Sequence, residues 1–163
     1  MKDAKNGPLK NKTALRYLYG FTIFILTLSG FGQMPIFKRY YIADIPGLGW
    51  LAQFYITHYL HYLGAVVFLG IAGYVVAEYL AYGKKVLNLT MSGYVRTAVL
   101  AGLGVSGIFL VVRNFSGVTL PPGLIIVLDL GHLSLVMLLL LVSGVCAFKK
   151  CSWVVNNKAP EKN

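Results

Sequence analysis

The sequence predicts an all-α fold: an integral membrane four-helix bundle with both termini in the cytoplasm. Three observations carry this. Of 163 residues, 57% are hydrophobic and only 12% charged, about half the charge of an ordinary soluble domain. The mean hydropathy is +0.69. Four apolar runs each reach the roughly 20 residues that a bilayer core of about 30 Å demands of a helix. One domain is expected at this length, and a soluble enzyme is hard to reconcile with such a composition.

The spans fall near residues 15–34, 54–81, 94–112 and 123–148. They give a transmembrane domain over 14–148 between two cytoplasmic tails, 1–13 and 149–163, both polar and expected to be mobile. The first run follows a basic segment, as a signal peptide would. Its length, and the lack of a small-residue cleavage site before Gly32, favour a retained helix. The connection from Pro35 to Gln53 is rich in aromatics (Phe37, Tyr40, Tyr41, Trp50), which suits a segment lying in the headgroup layer and bent at Pro46-Gly47. It would serve equally as a docking surface. Pro121-Pro122-Gly123 makes a stiff entry to the fourth helix. No repeat or low-complexity tract is evident.

A net charge of +10, from fifteen Lys and Arg against five Asp and Glu, would suit a nucleic-acid binder if the charges formed one surface. They cluster between the apolar runs instead. Lys2, Lys5, Lys10, Lys12 and Arg16 precede the first run, Lys84, Lys85 and Arg96 surround the middle connection, and Lys149, Lys150, Lys158 and Lys162 follow the last. The opposite side has Lys38, Arg39 and Arg113. Lys and Arg collect on the cytoplasmic side of membrane proteins. Both termini are therefore expected inside a bacterial inner membrane, in contact with lipid and not with nucleic acid.

Ionisable residues within a span are costly and usually mark a site. The spans hold His58, His61 and Glu78 in the second helix and Asp129 and His132 in the fourth, and these include every histidine of the chain. His58 and His61 share a helix face with Phe54, Ala65 and Phe68. Gly64 and Ala65, one turn below His61, leave room for something flat. His132 follows Gly131 in a run of Leu and Val. Counted from the inner edge, His61 and His132 come to similar depth, and His58 sits nearly a turn further out.

Neutral imidazole is a standard ligand of haem iron, and facing helices of a bundle can each supply one. His61 with His132, or His58 in place of His61, would hold a single b-type haem in the outer half of the membrane. No Cys-x-x-Cys-His motif provides covalent attachment. The bland alternative is that the imidazoles only join helices by hydrogen bonds. Cys146 and Cys151 lie at the opposite, inner end and read as two reduced cytoplasmic thiols, so no zinc site is expected. Asp129 and His58 are candidate proton acceptors; the competing reading of Asp129 is a pair with Arg113, which is itself a candidate partner for a haem propionate. Glu78 is expected to snorkel towards Lys84 or Lys85.

In its four spans, in Leu28-Ser29-Gly30-Phe31 closing the first helix, and in His61 and His132, the chain resembles the four-helix cytochrome b subunits of membrane respiratory enzymes. These are the group of the formate dehydrogenase gamma subunit and hydrogenase cytochrome b. The resemblance, over Leu15 to Phe148, implies that His61 and His132 hold the outer haem. It also implies a membrane quinone, and partner subunits carrying iron-sulfur clusters or c-type haem. The family's inner-haem histidines are missing: the first helix reads Arg16-Tyr17-Leu18-Tyr19, and no histidine follows His132. Two other functions compete, a haem-free anchor or quinone-binding subunit and a small transporter with a proton path. The spans lack the paired broken helices that would favour the transporter.

Overall fold

The computed structural model describes residues 12–34, 36 and 44–156. Lys2, Lys5, Lys10, Lys38, Arg39, Lys158 and Lys162 lie outside them, as do Pro35, Phe37, Tyr40 and Tyr41. Of the described residues, 78% are helical. Its four long helices are α1 (Lys12–Gly32), α2 (Phe54–Ala81), α3 (Met91–Val112) and α4 (Pro122–Phe148). Each is long and apolar enough to cross a membrane, which makes this an all-α, multi-pass membrane protein. The chain divides into two compact units, Met1–Val76 and Ala77–Asn163, where a single domain is expected from length. The boundary falls inside α2, because α1 packs on the first part of α2 while α3 and α4 pack on each other.

In the first unit, small residues let the helices approach. A Cβ on Gly64 would sit 3.1 Å from Leu26 Cδ2, and one on Gly32 would sit 3.1 Å from Thr57 Cγ2 and 3.2 Å from Leu51 Cδ2. Leu51, on a short 3-10 turn (Gly49–Ala52), is buried against the end of α1. Without water to satisfy them, hydroxyls inside a span bond to their own helix. The fully buried Thr57 donates to Phe54 O at 3.0 Å. The bend expected at Pro46-Gly47 is present: Gly47 has φ +88° and Leu48 N–H donates to Ile45 O at 2.9 Å. Pro at the second and Gly at the third position make this a type II turn.

The second unit carries a feature absent from the sequence reading. The C-terminal segment is not simply a mobile tail: strand β2 (Val154–Asn156) pairs antiparallel with β1 (Leu87–Leu89), with Leu89 opposite Val154. The chain reverses after α4 through a Schellman motif. Cys151 N–H donates to Cys146 O, Lys150 N–H donates to Ala147 O, and Lys150 takes φ +52°. The segment then caps α3. Trp153 O accepts from Thr90 N–H, and Thr90 Oγ1 donates to Ser152 O at 2.7 Å while accepting from Gly93 N–H. Arg96 is buried beneath the segment. It donates to Ser92 O and Cys151 O, and its guanidinium lies 4.3 Å from the Trp153 ring centre. The Thr90 cap starts α3 three residues before the expected 94. Pro122 opens α4 at the first helical position, where its missing N–H costs nothing.

Candidate functional site

His61 lies on α2 against Ser29 and Gly30 of α1. Its Nδ1 is 3.1 Å from Ser29 Oγ, and a Cβ on Gly30 would come 3.3 Å from the ring's Cε1. Ser29 is buried, and its hydroxyl donates to Ile25 O at 2.7 Å. A hydroxyl has one proton, so the arrangement that satisfies both contacts has His61 Nδ1–H donating to Ser29 Oγ. The ring's lone pair is then on Nε2.

The second unit repeats this arrangement. His132 of α4 has Nδ1 2.8 Å from Ser106 Oγ of α3, and Ser106 Oγ donates to Leu103 O at 3.2 Å. A Cβ on Gly107 would lie 3.6 Å from His132 Cε1. The same proton count gives an Nδ1–H donor with the lone pair on Nε2. Each histidine thus faces a Ser-Gly dipeptide on the preceding helix.

His58 has different surroundings. Its Nδ1–H donates to Gln33 Oε1 at 3.2 Å, and Gln33 Nε2 in turn donates to Ser29 O at 3.3 Å. The ring stacks on Phe54 (centroids 5.0 Å apart, planes at 22°) and touches Tyr62 at 4.2 Å. His58 is therefore engaged on both faces as well as at Nδ1.

Asp129 is paired. Arg113 Nη1 donates to both carboxylate oxygens, at 2.8 and 2.9 Å, and the pair is partly exposed. Beside it lies an open depression of about 540 Å³, lined also by Asn114, Thr119, Leu120 and Ile125. Two expectations need correction. The space beside Gly64 is filled by Leu26, so Gly64 serves helix packing and holds no room for a flat group. Glu78 forms no ion pair with Lys84 or Lys85. Its Oε1 is buried and has no hydrogen-bond partner among the described residues.

Among the described residues, no three of His, Cys, Asp and Glu are grouped to hold a metal ion between them. Two imidazoles suffice only where a macrocycle fills the other positions of the metal, and neutral Nδ1–H rings with Nε2 lone pairs are the donor type haem iron takes. His61 and His132 fit that group by chemistry. A Cβ on Gly131, next to His132, would meet nothing within 4 Å. Ser29, Ser106 and Gln33 had no role assigned from sequence. The Ser-Gly dipeptide on the helix before His61 and before His132 is no distinctive signal, since Ser-Gly also stands at 92–93, 116–117 and 143–144. Compared with protein families, curated proteins and solved structures, the chain shows no match.

Proposed function

We propose that the chain is a monohaem membrane cytochrome b subunit, in which His61 and His132 would hold one b-type haem, with His58 as the substitute for His61. One observation carries the reading: both rings are tied at Nδ1 to a serine hydroxyl, which presents Nε2 as the donor. A hydrogen bond to the ring nitrogen that does not bind the metal orients metal-ligating histidines. When bound, haem supplies one-electron exchange. The chain's own residues supply the imidazoles, their orientation, and a polar exit at Arg113 and Asp129.

The subunit passes electrons between a membrane quinone and a partner subunit with iron-sulfur clusters or c-type haem, and anchors that complex in a bacterial inner membrane. The distribution of Lys and Arg supports cytoplasmic termini and a haem in the outer half of the bilayer. The depression beside Asp129 is within the size range of small-molecule sites. It supports a role for Asp129 as acceptor of quinol protons, with Arg113 orienting the carboxylate.

A second reading has its own support. Ser29–His61 and Ser106–His132 are also what a haem-free anchor would use to join its helices. A reduced-minus-oxidised spectrum of the purified full chain, with a pyridine haemochrome assay, separates the two. One b-type haem per chain is expected, and a chain isolated from haem-replete cells without haem overturns the cytochrome reading.

A further inference from the structure

We infer that Ser29-Gly30 and Ser106-Gly107 are two copies of one positioning device, a histidine cradle, in which the serine fixes the ring's tautomer and the glycine admits its edge. The tautomer rests on the geometry described above. Its consequence for haem rests on the proposed function.

The two copies share one outline, although Ser29 bonds four residues back and Ser106 three, and only at Gly30 is the contact tighter than ordinary. The acceptor is a hydroxyl whose proton is committed to a carbonyl one turn back in its own helix: Ile25 O for Ser29, Leu103 O for Ser106. A hydroxyl tethered in this way offers the imidazole a lone pair and cannot easily reverse the bond. The next residue is a glycine facing the imidazole Cε1, at 3.3 Å from a Cβ in one copy and 3.6 Å in the other. A side chain at Gly30 would press on the ring edge that the serine bond holds. His58 has no cradle, since an amide oxygen, Gln33 Oε1, takes its Nδ1–H. The amide oxygen holds His58 in the same Nδ1–H form, so His61 and His58 differ in partner and packing and not in tautomer.

A hydrogen bond from Nδ1–H raises the basicity of Nε2, and losing such an outer partner typically weakens metal binding 10- to 100-fold. The stronger donor favours ferric over ferrous iron, so its loss moves the midpoint potential upward.

The experiment is ¹⁵N-histidine NMR on the full chain in lipid bilayers, before and after haem loading, with Ser29→Ala, Ser106→Ala and Ser106→Thr. In the haem-free native chain, His61 and His132 should be Nδ1–H tautomers. Each Ala variant should release only its own histidine into a tautomer mixture, and Ser106→Thr, which keeps the hydroxyl, should restore the native signal. After loading, each Ala variant should bind haem at least about tenfold more weakly, with a raised potential. Native rings in the Nε2–H form overturn the cradle whatever the variants do. So do Ala variants with unchanged tautomer, haem affinity and potential. Native Nδ1–H tautomers in a chain that takes up no haem leave the cradle standing and remove the cytochrome reading alone.

Discussion

His61 and His132 are held alike, by a serine hydroxyl at 3.1 and 2.8 Å, but the helix pairs that carry them are built differently. Around His61, Ser29, Gln33 and His58 are joined by hydrogen bonds that involve no Asp, Glu, Lys or Arg. Around His132, α4 carries Asp129 one turn away, in an ion pair with Arg113. The first pair is closed by an apolar contact, Leu51 and Thr57 against Gly32. The second is closed by the β1–β2 ribbon and Arg96 under Trp153. A shared imidazole geometry on unlike scaffolds teaches that the Ser-Gly/His arrangement does not follow from how a helix pair is closed.

The largest effect that could break this equivalence is ligand loss. His61→Ala and His132→Ala should each abolish the b-type spectrum of the purified chain, while His58→Ala should retain it. Haem kept in His61→Ala would move the ligand to His58 and leave the first cradle without a ligand role.

Next comes the closure of the second pair. Gly93 faces the Trp153 carbonyl so closely that an added Cβ would strike Trp153 O. Gly93→Ala must therefore push the C-terminal segment away from the α3 cap. Overpacking of this kind costs about 1–3 kcal/mol, and the Thr90–Ser152 and Arg96–Cys151 bonds would go with it. The expected readout is faster proteolysis after Phe148 and a lower thermal midpoint in detergent, with no counterpart from Gly20→Ala in α1, where a Cβ meets nothing within 4 Å.

Much of this fold was legible in the sequence because a membrane simplifies the problem. Length and apolarity fixed four helices, and α2 begins and ends where expected, at Phe54 and Ala81. The Pro46-Gly47 bend was legible because proline and glycine permit few alternatives there. The ribbon was not: Leu87-Asn88-Leu89 and Val154-Val155-Asn156 are too short to signal strands, and their pairing depends on a Schellman turn with Lys150 where glycine is usual. At the candidate site the histidines stood out because ionisable residues are rare in spans. Their serines did not, since Ser and Gly also occur in spans for packing. Gly64 misled for that reason, since small residues beside a histidine can equally be the contact face of the next helix.

A finer comparison uses the glycines of the cradles. In both helices, Gly→Ala gains up to about 1 kcal/mol of helix propensity. At Gly107 the new methyl would make an ordinary contact at 3.6 Å, so Gly107→Ala should be neutral or slightly stabilising. At Gly30 the 3.3 Å contact forces the His61 ring to shift by a few tenths of an ångström, so the gain should be offset and the His61–Ser29 bond weakened. Thermal midpoints of the two variants, with the haem spectrum as a second readout, test this ordering.

The smallest expected effect lies at the basic end of the second unit and is read by pH. Cys146 and Cys151 are free thiols brought together by the Schellman turn, Cys146 buried and Cys151 partly accessible. The Cys151 thiol is raised from its usual range, first by its hydrogen bond with Cys146 and then by burial, against the opposing pull of Arg96 and Lys149. A raised pKa means less thiolate at neutral pH, and the thiolate is the form that reacts. Alkylation of Cys151 should therefore be slow at pH 7 and keep climbing at pH values where an ordinary thiol has levelled off. Cys146→Ala removes the largest cause, so it should speed the reaction at pH 7 and shift the profile to lower pH. An unchanged profile would mean that the thiol pair does not persist in solution, and that the turn placing Cys151 is looser than the ribbon it feeds.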